Sequence, residues 1–230
     1  MLAHRYCPGC GHINISKEVE KQLIEKQGII IGSVGCSVAL PELFEVVDAV
    51  SSAHGRALSV ATALRRCLPD TPLITYQGDG DCCTIGIGEL IHTILRNERI
   101  VCVLINNNQF AMTGFQMSAT TPIDIKTKTT VNGRKESYHG IPINVKLLMK
   151  QNPKAKYYLS NSASKKGIDL FKEQLKEALN NDGFSLLEVM SPCPTFWGNA
   201  KKSYEFALEQ YEKKIEEEEH YCTCLNGCDN

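Results

Sequence analysis

The chain has 230 residues, enough for one sizeable α/β domain with a single core and too few for two independent ones. Its 25 lysines and arginines against 26 acidic residues leave a formal net charge of −1 spread along the chain, so no basic face for nucleic acid or an anionic membrane is expected. The first residues run into cysteines with nothing like a signal peptide, and no stretch reaches the ~20 apolar residues of a membrane helix, so the expectation is a cytoplasmic protein with small-molecule and protein partners.

Segments with helical spacing lie at 15–26, 55–67, 86–95, 168–179 and 200–215, and apolar runs of strand length at 28–34, 72–76, 100–105, 156–159 and 184–189. Strand alternating with helix predicts an α/β fold with a doubly wound, mostly parallel sheet. The polar, threonine-rich stretch 107–152 breaks that rhythm, and a connection this long inside a compact domain is usually functional. One domain is expected over 1–215, with 216–230 an acidic, cysteine-containing tail.

Ligands of open α/β sheets bind beyond the carboxyl ends of the strands. Four loops that follow predicted strands carry chemistry: Gly35-Cys36-Ser37, Gly78-Asp79-Gly80-Asp81, Asn106-Asn107 and Ser191-Pro192-Cys193-Pro194. Asp79 and Asn107 are separated by one helix and one strand, which brings them to neighbouring strand ends. Carboxylate and amide oxygens, with a main-chain carbonyl about two residues beyond Asn107, are hard ligands suited to octahedral Mg2+. Gly78 and Gly80 let the backbone approach a ligand, and a helix start at Gly86 would offer free amides to an anion. A Gly-Asp-Gly alone reads equally as a turn.

Eleven cysteines, an odd number, argue against a disulfide framework. Cys7-Pro8-Gly9-Cys10 places two thiols on one turn, a spacing that by itself fits zinc, a redox pair or two buried thiols. Cys36 and Cys193, at the same sheet edge, complete the four thiolates that a [4Fe-4S] cluster takes. Cys67, Cys82, Cys83 and Cys102 fall in helices and strands and read as small buried hydrophobes. Cys222, Cys224 and Cys228, with His220, form a tail in which exposed thiols are favoured over a structural metal.

Gly78-Asp79-Gly80 followed by Asn106-Asn107 resembles the fingerprint of thiamine-diphosphate enzymes, which implies Asp79, Asn107 and the Gln109 carbonyl on Mg2+; Asn108 leaves the choice of asparagine open by one position. Cys7-Pro8-Gly9-Cys10-Gly11-His12, Gly35-Cys36-Ser37, His54-Gly55-Arg56-Ala57, Met112-Thr113-Gly114-Phe115-Gln116, Thr120-Thr121-Pro122 and Ser191-Pro192-Cys193-Pro194 look, in that order, like the β subunit of 2-oxoacid:ferredoxin oxidoreductases. The resemblance implies a thiamine-diphosphate-binding fold, with one [4Fe-4S] cluster on Cys7, Cys10, Cys36 and Cys193. Cofactor contacts would come from Cys36, Ser37, His54, Gly55, Gly78, Asp79, Gly80, Asp81, Asn107, Gln109, Met112 and Thr113. The implied reaction is oxidative decarboxylation of a 2-oxoacid to its acyl-CoA, with electrons passing through the cluster to ferredoxin.

The resemblance also implies a partner α subunit, with γ and δ subunits in some complexes, that supplies the glutamate activating the cofactor. Because Gly114-Phe115 offers no charge, the leaning is to a branched-chain 2-oxoacid, with 2-oxoglutarate and pyruvate as alternatives. Competing readings are a cluster-free thiamine-dependent decarboxylase and a zinc-bearing scaffold. This chain departs from family members at Phe110-Ala111, where Tyr-Gly is common, and at Phe115, where glycine is.

Overall fold

The computed structural model describes residues 6–40, 44 and 47–226, with side chains described as far as 217, so the expectations for Cys222, Cys224, Cys228 and His220 lie outside the described side chains. Helix α1 (His12–Lys26) buries Ile15, Val19 and Leu23, one stripe at four-residue spacing, and closes on a left-handed Gln27 whose N–H returns to the last turn. Each such side chain contributes about 1.5–3 kcal/mol on burial. β1 (Ile29–Gly32) follows, then β2 (Asp48–Ser51), helix α2 (Ala57–Cys67), β3 (Leu73–Gly78), helix α3 (Ile87–Arg96) and β4 (Val101–Asn106). After the long excursion come β7 (Lys156–Asn161), helix α6 (Lys165–Leu179), β8 (Ser185–Met190), the short α7 (Pro194–Trp197) and the long α8 (Ala200–Asn226).

Six strands pair in parallel in the order β2-β1-β3-β4-β8-β7. Buried apolar side chains cover both faces. Ile30, Ile74, Val103 and Leu187 pack with α1 and α6 on one side, while Ile31, Cys102, Leu104 and Leu186 pack with α2 and α3 on the other. That is the two-sided burial that makes parallel strands read as unbroken Val/Ile/Leu runs. From β1 the chain steps outward to β2 and then returns to the opposite side of β1 as β3, which opens a crevice at the carboxyl ends of β1 and β3.

Several elements differ from the sequence expectation. β2 carries no apolar run, being short and half exposed at the sheet edge. Helix α8 continues without a break past 215 to Asn226, as its lysine and glutamate content favours. The 107–152 excursion holds a small antiparallel hairpin of β5 (Gln109–Phe110) and β6 (Gln116–Met117), then helices α4 (Glu136–His139) and α5 (Val145–Met149). Its staple is Arg134, whose buried guanidinium donates to the carbonyls of Thr121 (2.6 Å), Ala119 (3.0 Å), Gly140 (2.9 Å) and Ile141 (2.7 Å). Cys82, Cys83 and Cys102 are buried as expected, whereas Cys67, at the last turn of α2, is exposed. No helix among the described residues is long and apolar enough to cross a membrane.

Candidate functional site

The loops that follow the neighbouring strands β1, β3, β4 and β8 carry Cys36, Asp79, Asn107 and Cys193 respectively, all at the carboxyl edge of the sheet, where two adjoining spaces open. Asp79 is buried. Its Oδ2 accepts from Ser118 Oγ (2.5 Å) and Thr120 Oγ1 (2.7 Å), both on the excursion, while Oδ1 faces the Asn107 side chain. Burial pushes the Asp79 carboxyl up to about 6, against the pull of those two hydroxyls. Of the three asparagines, Asn107 is the one whose carboxamide meets Asp79. Asn106 turns into the protein, and Asn108, at a left-handed φ of 63°, donates to the Thr120 carbonyl.

One carboxamide atom of Asn107 stands 3.2 Å from Asp79 Oδ1 and 2.8 Å from the Gln109 carbonyl oxygen. With its nitrogen there, Asn107 donates to both. With its oxygen there, Asn107 stands from each of the other two oxygens at the ~3 Å edge length of an octahedron whose metal–oxygen distance is ~2.1 Å. The small crevice in front of them, about 60 Å3, is lined by Gly35, Cys36, His54, Gly78, Asp79, Gly80, Asp81, Asn107 and Gln109, with Phe110 to Thr113 as its roof. A side chain at Gly78 would project into open space, whereas one at Gly80 would strike the Phe110 ring.

The helix start expected at Gly86 lies earlier. A π-helical turn, Gly80–Ile85, begins directly after Asp79 and runs into α3, and the Gly86 N–H is already given to the Asp81 carbonyl. The amides available to an anion are therefore those that open the π turn.

Three of the residues expected to contact the cofactor also have partners within the protein. Asp81 is buried and its carboxylate is spent inside the protein, accepting from Ser33 Oγ (2.8 Å), Gly55 N–H (2.6 Å), Gln77 and the His54 ring. It holds the His54 loop in place. Gly55 lines neither cavity and packs its backbone on Gly86. Ser37 lies on a 3-10 turn that points it inward, its hydroxyl donating to the Ser33 carbonyl (3.0 Å). His54, Met112 and Thr113 do line the crevice, with Thr113 Oγ1 tied to Gln116 (2.6 Å).

Beside this crevice lies a larger cavity of about 580 Å3, into which Cys7, Cys10, Cys36 and Cys193 all face together with Tyr6, Ala111, Met112 and Phe115. Cys36, His12, Asn107, Ala111 and Met112 wall both spaces. Burial, reinforced by the neighbouring sulfurs, pushes the Cys10 thiol up to about 12 and the Cys36 thiol up to about 11. Burial raises Cys193 likewise. Among the described residues no three His, Cys, Asp or Glu side chains converge on the position of a single metal ion. Tyr6 is buried with no partner for its hydroxyl, and stacks at 4.9 Å on His12, whose Nδ1 meets Tyr76 Oη at 3.1 Å. Burial drives His12 down to about 4, so it is neutral.

Sequence reasoning missed Ser118 as the partner of Asp79, because nothing local marks one serine in a polar excursion. It also missed Lys128, whose Nζ stands 3.3 Å from where a side chain on Gly114 would begin. Gly114-Phe115 carries no charge of its own, as expected, but Lys128 stands beside it. Gly114 has a φ of +104°, so a lysine placed there would be strained.

Residues 33–189 match the family model described as thiamine pyrophosphate enzyme, C-terminal TPP binding domain. The ketoisovalerate oxidoreductase subunit VorA of Methanothermobacter thermautotrophicus is 34% identical over 93% of this chain and 46% of its own length. The 2-oxoglutarate synthase subunit KorB of Methanocaldococcus jannaschii is 31% identical over 86% of this chain and 72% of its own. A solved 2-oxoglutarate:ferredoxin oxidoreductase from Magnetococcus marinus, with 2-oxoglutarate, coenzyme A and succinyl-CoA bound, superposes with a TM-score of 0.72 at 28% identity, over 84% of this chain and 66% of that one. The chain thus spans about half the length of VorA. By the extent of the family match and the similarity to KorB, this chain belongs to the thiamine pyrophosphate enzymes and, among them, to the β subunits of the 2-oxoacid:ferredoxin oxidoreductases.

Proposed function

We propose that this chain is the cofactor-binding subunit of a 2-oxoacid:ferredoxin oxidoreductase, with Mg2+ and the diphosphate end of thiamine diphosphate at the smaller crevice and one [4Fe-4S] cluster in the thiol-ringed cavity. The observation that carries the reading is the common wall: Cys36 and Asn107 face both spaces, so a cluster and a cofactor would be neighbours. In the overall reaction the bond to the 2-oxoacid carboxylate breaks to release CO2 and the acyl group joins the coenzyme A thiol. Two electrons and one proton are released, the electrons leaving singly to ferredoxin. Bound thiamine diphosphate supplies the carbon nucleophile that the side chains lack.

The residues fit both groups. Asp79 Oδ1, Asn107 and the Gln109 carbonyl offer hard oxygen ligands, and Ser118 and Thr120 hold Asp79 by its other oxygen, leaving one for a metal. Open space at Gly78 and the π-turn amides suit a diphosphate. Phe110 and Met112 line the crevice on the side of the excursion. Thiols raised by burial and mutual repulsion must lose their protons to bind iron, and the positive charge of the metal offsets that cost. Four cysteines around one cavity match the four thiolates that a [4Fe-4S] cluster takes.

The glutamate that activates the cofactor is assigned to an α subunit, which makes the chain inactive alone. For substrate, the uncharged Gly114 and Phe115 favour a branched aliphatic 2-oxoacid, and Lys128, beside Gly114, is the cation a dicarboxylic acid would use. The test is anaerobic co-purification with the partner subunits, followed by iron, labile sulfide and thiamine diphosphate assays and by turnover with 3-methyl-2-oxobutanoate and 2-oxoglutarate. One cubane and one cofactor per chain, with the branched acid preferred, are expected. Bound cofactor without iron would establish the cluster-free decarboxylase instead, and a preference for 2-oxoglutarate that collapses in Lys128→Met would reverse the substrate assignment.

A further inference from the structure

Glu188, in the middle of β8, is fully buried between the strand neighbours Leu104 and Leu159, and the crevice does not use it. Isolated charge at such a place is costly, so its partners matter. Its Oε1 accepts from Asn106 Nδ2 at 2.6 Å and lies 3.1 Å from Lys214 Nζ, which arrives from α8; its Oε2 accepts from Tyr157 Oη at 2.6 Å. Burial would push the Lys214 ammonium down, but Glu188 more than offsets this and holds it up.

A carboxylate can only accept, so it forces the donor end of the Asn106 carboxamide toward itself and the oxygen end toward the crevice. That oxygen receives the Asn108 N–H at 3.0 Å and lies 3.1 Å from Thr120 Oγ1, the hydroxyl that also donates to Asp79. Asn108 is the left-handed residue of the turn that presents Asn107 and the Gln109 carbonyl.

We propose that Glu188 and Lys214 are positioning residues for the magnesium loop: the buried pair fixes which way the Asn106 amide faces, and that amide holds the turn carrying two of the three metal oxygens. The proposal rests on the magnesium reading above. It makes the long C-terminal helix part of the cofactor site although no described residue of that helix lines the crevice. Glu188→Gln is the informative change, because the new carboxamide can donate to Asn106, turn its amide over and set an N–H against the Asn108 N–H.

The experiment is a calorimetric titration of Mg2+ with thiamine diphosphate into the full chain assembled with its partner subunits, together with iron content and thermal unfolding. Glu188→Gln and Lys214→Met are expected to weaken Mg2+-dependent cofactor binding by about tenfold or more, in the 10–100-fold range for residues that orient metal ligands, with iron content unchanged. Lys214→Arg should restore affinity, and Lys213→Met, which breaks only a surface pair with Glu209, should leave it alone. Tyr157→Phe is the milder variant should the others fold poorly, with a loss of about threefold expected. Variants that unfold at lower temperature but bind Mg2+ and cofactor like the wild type would overturn the positioning role. A wild-type assembly that binds no cofactor with Mg2+ would remove the magnesium reading itself, and this proposal with it.

Discussion

The oxygen side and the sulfur side of the crevice are built on opposite principles. Around Asp79 the carboxylate itself is partnered: two hydroxyls hold one oxygen, Asn107 can satisfy the other, and Asn106 is oriented from behind by Glu188, with the Gln109 side chain the buried group left without a hydrogen bond. Around Cys36 the thiols face a cavity with their pKa values raised, and the Tyr6 hydroxyl is buried without a partner. A site that satisfies itself can fold empty and wait for a metal, while one that leaves buried polar groups unmet is completed by what binds there. The two sides should therefore come apart experimentally.

The largest effect is expected on the sulfur side. Cys36→Ser or Cys193→Ser should abolish the stoichiometric iron of the anaerobic protein while Mg2+-dependent cofactor binding stays within about threefold, since the oxygen ligands lie on other loops. Iron assay and calorimetry on the same sample check this, and a joint loss of both would mean the sides are one cooperative unit. Next is Asp79→Ala, expected to weaken Mg2+-dependent thiamine diphosphate binding more than about 100-fold with iron content intact, because a direct ligand should exceed the 10–100-fold cost of an orienting partner.

Removing Mg2+ and cofactor should lower global stability by about 2.7 kcal/mol relative to saturation at 100 times the dissociation constant, read as a shift in thermal unfolding. The iron spectrum should be unchanged. The smallest effect is expected from Ser118→Ala, which takes one of two hydroxyls from Asp79 Oδ2 at a cost of about 1–2 kcal/mol, roughly tenfold in Mg2+ affinity. A null result there would assign the holding of Asp79 to Thr120 alone.

Much of this was legible in the chain because parallel strands buried on two faces announce themselves, as 100–105 and 184–189 do, and because strand-end loops carry the chemistry. What escaped was information carried by distance. Ser118 reaches Asp79 from 39 positions away. The π turn at Gly80–Ile85 cannot be told from the start of an ordinary helix by spacing. Asp81 lines the crevice, but nothing local shows that its carboxylate also accepts from Ser33, His54, Gly55 and Gln77. Glu188 hides as one acidic residue in an apolar strand, and only packing brings Lys214, 26 positions later, against it.

The central claim is tested most directly by replacing Mg2+ with Mn2+, which takes the same oxygen ligands, and recording electron paramagnetic resonance in the assembled, dithionite-reduced complex. Reduction should enhance the relaxation of the Mn2+ signal through coupling to a nearby paramagnetic cluster, and Cys36→Ser should remove that enhancement. A Mn2+ signal from a cofactor-loaded, iron-replete protein that is indifferent to reduction would contradict the account.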